Sequence, residues 1–100
     1  MVMMNRQYIL EALAEQRGRL ASEFGVRSLA LFGSFARDEA VGGSDIDLLV
    51  EFDRPTGYFG LVRLQLYLER AFGCPVDVLT PGGLKDNIRS TIQAEAIHVN

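Results

Sequence analysis

The stretch "LFGSFARDEAVGGSDIDLLVEF", Leu31 to Phe52, decides how this chain is read. From Asp45 onward it alternates: Asp45, Asp47, Leu49 and Glu51 fall on one side, Ile46, Leu48, Val50 and Phe52 on the other. That period of two predicts a strand with one fully apolar face. The opposite face opens on two carboxylates. Because successive strand side chains alternate sides, Asp45 and Asp47 project together, with Cα atoms roughly 6 to 7 Å apart.

Like charges so placed raise each other's pKa and resist desolvation, and a divalent cation between them relieves both costs. All-oxygen ligands suit Mg²⁺ or Mn²⁺, and Mg²⁺ usually completes its shell with water and substrate phosphates. Downstream, "CPVDVLT", Cys74 to Thr80, predicts another short strand with Asp77 between Val76 and Val78. If this strand lies beside the first, Asp77 supplies a third ligand. Three carboxylates around two ions form the clamp used for in-line phosphoryl displacement, so the reaction class is nucleotidyl or phosphoryl transfer.

Upstream, "VRSLALF", Val26 to Phe32, reads as a strand stopped by Gly33 and Ser34, with a short helix beginning near Ser34. Gly33 permits close backbone approach, and the N–H groups opening the helix face an anion. Ser34 is expected to cap that helix and also to bind a phosphate oxygen, and Arg37 to reach a triphosphate or cap a nearby carboxylate. Taken singly, each feature has an ordinary explanation. Gly-Ser is a common capped turn, Asp45 after Gly42-Gly43-Ser44 is a loop residue, and Asp77 is a solvent-facing edge residue. Their joint placement at strand ends favours one shared site.

The rest of the chain frames that site. Ile9, Leu13, Leu20 and Phe24 recur at helical spacing and predict an amphipathic helix over 5–24 ending at Gly25. "DRPTGYFG", Asp53 to Gly60, reads as a loop, followed by a helix whose stripe is Leu61, Leu64, Leu68 and Phe72. "PGG" at Pro81–Gly83 closes the strand carrying Asp77. A last helix follows within "LKDNIRSTIQAEAI", and "IHV" can add an edge strand. The expected architecture is mixed α/β of the α+β kind, a small mixed sheet of three to four strands packed with helices.

Of the 100 residues, 48% are hydrophobic and 23% charged, a folded rather than disordered composition. The length predicts a single domain, 1–100, with no room for a separate clasp around a long polymer. Ten Lys and Arg against thirteen Asp and Glu leave a formal charge of −3, which argues against an extended nucleic-acid surface. Cys74 is unpaired and, before Pro75 at a strand start, reads as a small buried hydrophobe. "MVMMNRQYILEALAEQRGRL" has no signal-peptide core, and no run approaches the roughly 18 apolar residues of a membrane span. A cytoplasmic location without membrane attachment is expected. His98, Lys85 and Arg89 read as surface residues.

With Gly33-Ser34, ten intervening residues and Asp45-Ile46-Asp47 in view, the chain resembles the DNA polymerase beta-like nucleotidyltransferase superfamily. Over residues 5–99 it is similar to the minimal nucleotidyltransferases, the antitoxin partners of HEPN-domain toxins. The resemblance implies Asp45, Asp47 and Asp77 as catalytic metal ligands, Asp77 also helping to activate the acceptor hydroxyl. It implies Gly33, Ser34 and Arg37 as nucleotide contacts, two Mg²⁺ ions, and ATP as substrate. It further implies AMP transfer to a tyrosine of the cognate HEPN toxin in a hetero-oligomer. Asp38 departs from the family pattern, which more often has Gly there. Two rivals remain: an antitoxin that neutralises its toxin by occlusion through Tyr58, Phe59 or the outer face of the third helix, and a transferase acting on small molecules, which the short chain disfavours.

Overall fold

The computed structural model describes residues 4–41 and 43–99. Helix α1 (Arg6–Phe24) begins where the Asn5 side chain accepts the Tyr8 N–H at 2.8 Å, and ends at Gly25, whose φ of +70° is a left-handed cap. Strand β1 (Val26–Phe32) and the single helical turn α2 (Gly33–Ala36) follow, then strand β2 (Ile46–Phe52). Helix α3 (Gly57–Phe72), strand β3 (Val76–Leu79) and a 3₁₀ turn (Pro81–Gly83) lead to helix α4 (Asp86–Glu95) and strand β4 (Ile97–His98).

The four strands form one mixed sheet in the order β3-β2-β1-β4. Strand β1 runs antiparallel to both β2 and β4, whereas β2 and β3 are parallel. This is the expected mixed sheet, with "IHV" supplying its edge strand. The alternation in β2 assigns the faces. Ile46, Leu48 and Val50 are fully buried with Ile9, Leu13 and Leu20 of α1 and Leu64 and Leu68 of α3. Each such side chain stabilises the fold by roughly 1.5–3 kcal/mol relative to exposure. The other face carries a smaller cluster in which Phe32 and Leu49 pack against Ile92 of α4.

Two boundaries differ from the sequence expectation. The segment read as a loop through Gly60 is helical from Gly57, so Tyr58 and Phe59 stand on the first turn of α3. Gly60 is tolerated there because it makes room: a Cβ at that position would collide with the Thr56 side chain. The last helix begins at Asp86, so Leu84, which falls at helical spacing with Ile88 and Ile92, lies before it in extended conformation. Among the described residues no helix is long and apolar enough to cross a membrane.

Candidate active site

The parallel pairing of β2 and β3 builds the site. In register, Phe32 of β1 stands opposite Asp47 of β2, and Asp47 opposite Asp77 of β3, so the three side chains lie abreast on the α4 side of the sheet. Asp45 lies one residue before β2 and is exposed. Its approach is braced by the turn before it, where the Val41 N–H donates to Ser44 Oγ at 2.9 Å and the Ser44 N–H returns to the Val41 carbonyl at 3.0 Å. The Ile46 N–H donates to the Pro75 carbonyl at 3.0 Å and ties the start of β2 to the start of β3.

Burial pushes the Asp47 carboxyl up from 3.8 to about 6. The charges of Asp77 and Asp45 add to this, as does hydrogen bonding to Asp77, while the Arg37 charge pulls the other way. Asp47 is therefore electrostatically coupled to the carboxylates beside it and to Arg37. Among the described residues no three His, Cys, Asp or Glu side chains converge as a ready-made metal shell. Asp45, Asp47 and Asp77 share a face rather than a coordination sphere. The donor chemistry nonetheless fits Mg²⁺, since hard carboxylate oxygens of like charge on one face of a sheet are stabilised when a cation lies between them. Substrate oxygens would complete the shell.

Gly33 lies against Asp47. Its φ is +77°, and an added Cβ would collide with Oδ2 of Asp47. Only glycine fits this position without strain. Ser34 does not cap the helix as expected: it sits inside α2, whose cap position is Phe32 and makes no side-chain bond. One turn has no appreciable dipole, but the first four N–H groups of a helix lack intrahelical acceptors, and in α2 these are Gly33 to Ala36.

Arg37 is engaged by carboxylates, one of the two roles read for it. Its Nε donates to Glu39 Oε1 at 3.0 Å, and Nη1 lies 3.3 Å from both Glu95 oxygens. Glu39 and Glu95 carried no sequence signal, because the second partner is 58 positions away. Asp38, just beyond α2, has a φ of +61°, the left-handed region where glycine is at ease. Cys74 is half-buried, its thiol pushed up by burial and then by Asp45 and Glu69. With Phe35, Val41, Ser44 and Pro75 it lines an apolar cavity of about 320 Å³. His98 is exposed on β4, away from the carboxylates in register, and Lys85 is exposed before α4. Arg89 is not simply a solvated charge: it is partly buried, Nη2 lies 3.4 Å from the Leu84 carbonyl, and Nε is buried without a partner.

The nucleotidyltransferase domain family matches residues 13–99. The chain belongs to this family. Protein adenylyltransferase MntA of Thermococcus cleftensis is 34% identical over 99 residues, spanning 99% of this chain and 100% of its own. A solved minimal nucleotidyltransferase candidate superposes with a TM-score of 0.80 at 35% identity, covering 97% of this chain and 98% of its own. The MNT antitoxin in complex with tri-AMPylated Shewanella oneidensis HEPN toxin matches with a TM-score of 0.67, covering 91% of this chain and 71% of that one. At 15% identity that likeness shows the fold alone. The nucleotidyltransferase fold expected from the Gly-Ser and Asp-x-Asp spacing is the fold observed, and the chain is a nucleotidyltransferase.

Proposed function

We propose that this nucleotidyltransferase, a single domain of residues 1–100 working in the cytoplasm, is the antitoxin of a HEPN toxin and silences it by transferring AMP from ATP to a toxin tyrosine. The observation that carries this reading is the register of Asp47 beside Asp77, with Gly33 against Asp47. It gathers acidic oxygens and open backbone N–H groups where a triphosphate and an acceptor hydroxyl can meet. The names of the Thermococcus relative and of the tri-AMPylated complex support the choice of AMP and of a HEPN acceptor.

Asp45, Asp47 and Asp77 would hold Mg²⁺, expected as two ions, which when bound neutralises developing charge on the phosphate oxygens. The chain's own groups do the rest. The N–H groups around Gly33 and the Ser34 hydroxyl hold phosphate oxygens, and Arg37 offers a charged fork to the triphosphate. The tyrosine oxygen bonds to the α-phosphorus, the bond to the bridging oxygen breaks, pyrophosphate leaves, and Asp77 helps to take the phenolic proton. An acceptor that is itself a folded protein supplies the docking surface that an acidic chain of this size lacks for a polynucleotide.

The test is intact mass spectrometry of the HEPN-domain protein encoded beside this gene, after incubation with this chain, ATP and Mg²⁺. A gain of one or more AMP units, absent with Asp45→Asn/Asp47→Asn, is the expected result. A stable unmodified complex with both proteins would support neutralisation by occlusion instead. That second reading has its own observation: Tyr58, Phe59 and Leu66 are 74%, 82% and 57% exposed on α3.

A further inference from the structure

The Arg37 guanidinium is held from two sides by carboxylates that come from different parts of the chain. Glu39 follows it in the loop after α2 and takes Nε at 3.0 Å, while Glu95 closes α4 and takes Nη1 with both oxygens at 3.3 Å. Glu95 is itself well placed. It lies one turn beyond Ile92, the α4 side chain buried against Phe32 and Leu49, and the Ala96 N–H bonded to the Ile92 carbonyl ends the helix there. Phe32 adjoins Gly33 in sequence and Asp47 in register, so the packing that seats α4 also sets where Glu95 meets Arg37.

We infer that Glu95 is a positioning residue for the nucleotide, orienting the Arg37 guanidinium so that its third nitrogen, Nη2, is presented to a phosphate oxygen. Among the described residues Nη2 has no hydrogen-bond partner, whereas the other two nitrogens are occupied. An unrestrained arginine on this exposed turn loses rotamer freedom when it grips a phosphate, and the two carboxylates incur that loss before the ligand arrives. This role rests on the nucleotide reading above, because Arg37 has a phosphate to meet only if ATP binds here.

The test is calorimetric titration of the full chain with a non-hydrolysable ATP analogue and Mg²⁺, as a double-mutant cycle over Glu95→Ala and Arg37→Ala. Glu95→Ala is expected to weaken binding about three- to tenfold while Arg37 is present, and to change nothing when Arg37 is already alanine. Glu95→Gln keeps the shape and one acceptor oxygen, so it should fall between, and thermal melts of every variant check that α4 stays seated. An equal loss in both backgrounds would show that Glu95 does not act through Arg37. Tighter binding in Glu95→Ala would show that the carboxylate competes with phosphate, and either result overturns the inference. Failure of the wild-type chain to bind the analogue would instead overturn the nucleotide reading itself, and this role with it.

Discussion

Gly33 and Asp47 are packed so closely that a Cβ on the glycine would collide with Oδ2 of the aspartate and lie 3.0 Å from its Cγ. The turn that opens α2 and the strand that carries the carboxylates are thus fitted to each other across the β1–β2 pair. Gly33→Ala meets two penalties, about 1–2 kcal/mol for a side chain at positive φ and the displacement of Asp47. The stability cost is therefore expected to be modest, while AMP transfer falls on the order of 10²-fold, as for other small misplacements of reacting groups. Denaturant melts read alongside the mass-shift assay separate the two.

Asp47 makes the protein's stability depend on pH. Its carboxyl titrates near about 6 in the fold against 3.8 when unperturbed. Below the lower value the group is protonated in both states and carries no penalty. As pH rises through the upper value the native state must give up a proton it prefers to keep, and stability is lost. The full shift corresponds to roughly 3 kcal/mol, reduced to on the order of 1 kcal/mol because the side chain is partly exposed to solvent. Asp47→Asn should therefore melt higher than wild type at pH 7.5 and show no such gain at pH 3.5. Excess Mg²⁺ should close the gap at the higher pH.

Asp38 carries the opposite kind of strain, a side chain where glycine is at ease, with φ +61°. Relief of that conformation is partly offset by the greater freedom glycine has when unfolded. Asp38→Gly is expected to stabilise the chain by about 0.5 kcal/mol, measured as a raised urea midpoint at unchanged slope. A loss of stability would mean that the Asp38 side chain contributes contacts that outweigh its backbone.

The aromatic pair on the first turn of α3, with ring centroids 5.9 Å apart, touches solvent rather than core. Phe59→Ser should shift stability by no more than about 0.5 kcal/mol. Leu48→Ala, at a fully buried position, should cost roughly 3–5 kcal/mol. If Phe59→Ser nonetheless loosens the complex with the proposed HEPN partner while leaving nucleotide binding intact, the α3 surface is where that partner sits. Analytical ultracentrifugation of the mixture measures this.

Much of the placement of the candidate site could be read in the chain because its signals are local. The alternation from Asp45 to Phe52, the Gly-Ser stop and the apolar frame of Asp77 each lie within one strand or turn, where side-chain direction follows from position. What lay beyond the sequence was how strands pair. Nothing in "CPVDVLT" says that it runs parallel to β2 in the register that sets Asp77 against Asp47. The Arg37–Glu95 contact is likewise a product of where α4 packs. The start of α3 was hidden for a different reason: Gly57 and Gly60 look like helix breakers, yet Gly60 serves to admit the Thr56 side chain.

Strand β4 reaches back to β1, pairing His98 with Ala30 and Ile97 with Leu31. These partners are separated by about 70 residues, so the loop they close is among the longest the chain can make, and such pairings form late. During synthesis β1 would wait with an open edge until Ile97 and His98 emerge, and just before them Glu95, which meets Arg37. The arrangement around Arg37 would then arrive in one step, once β4 is made, rather than accumulating as the chain lengthens.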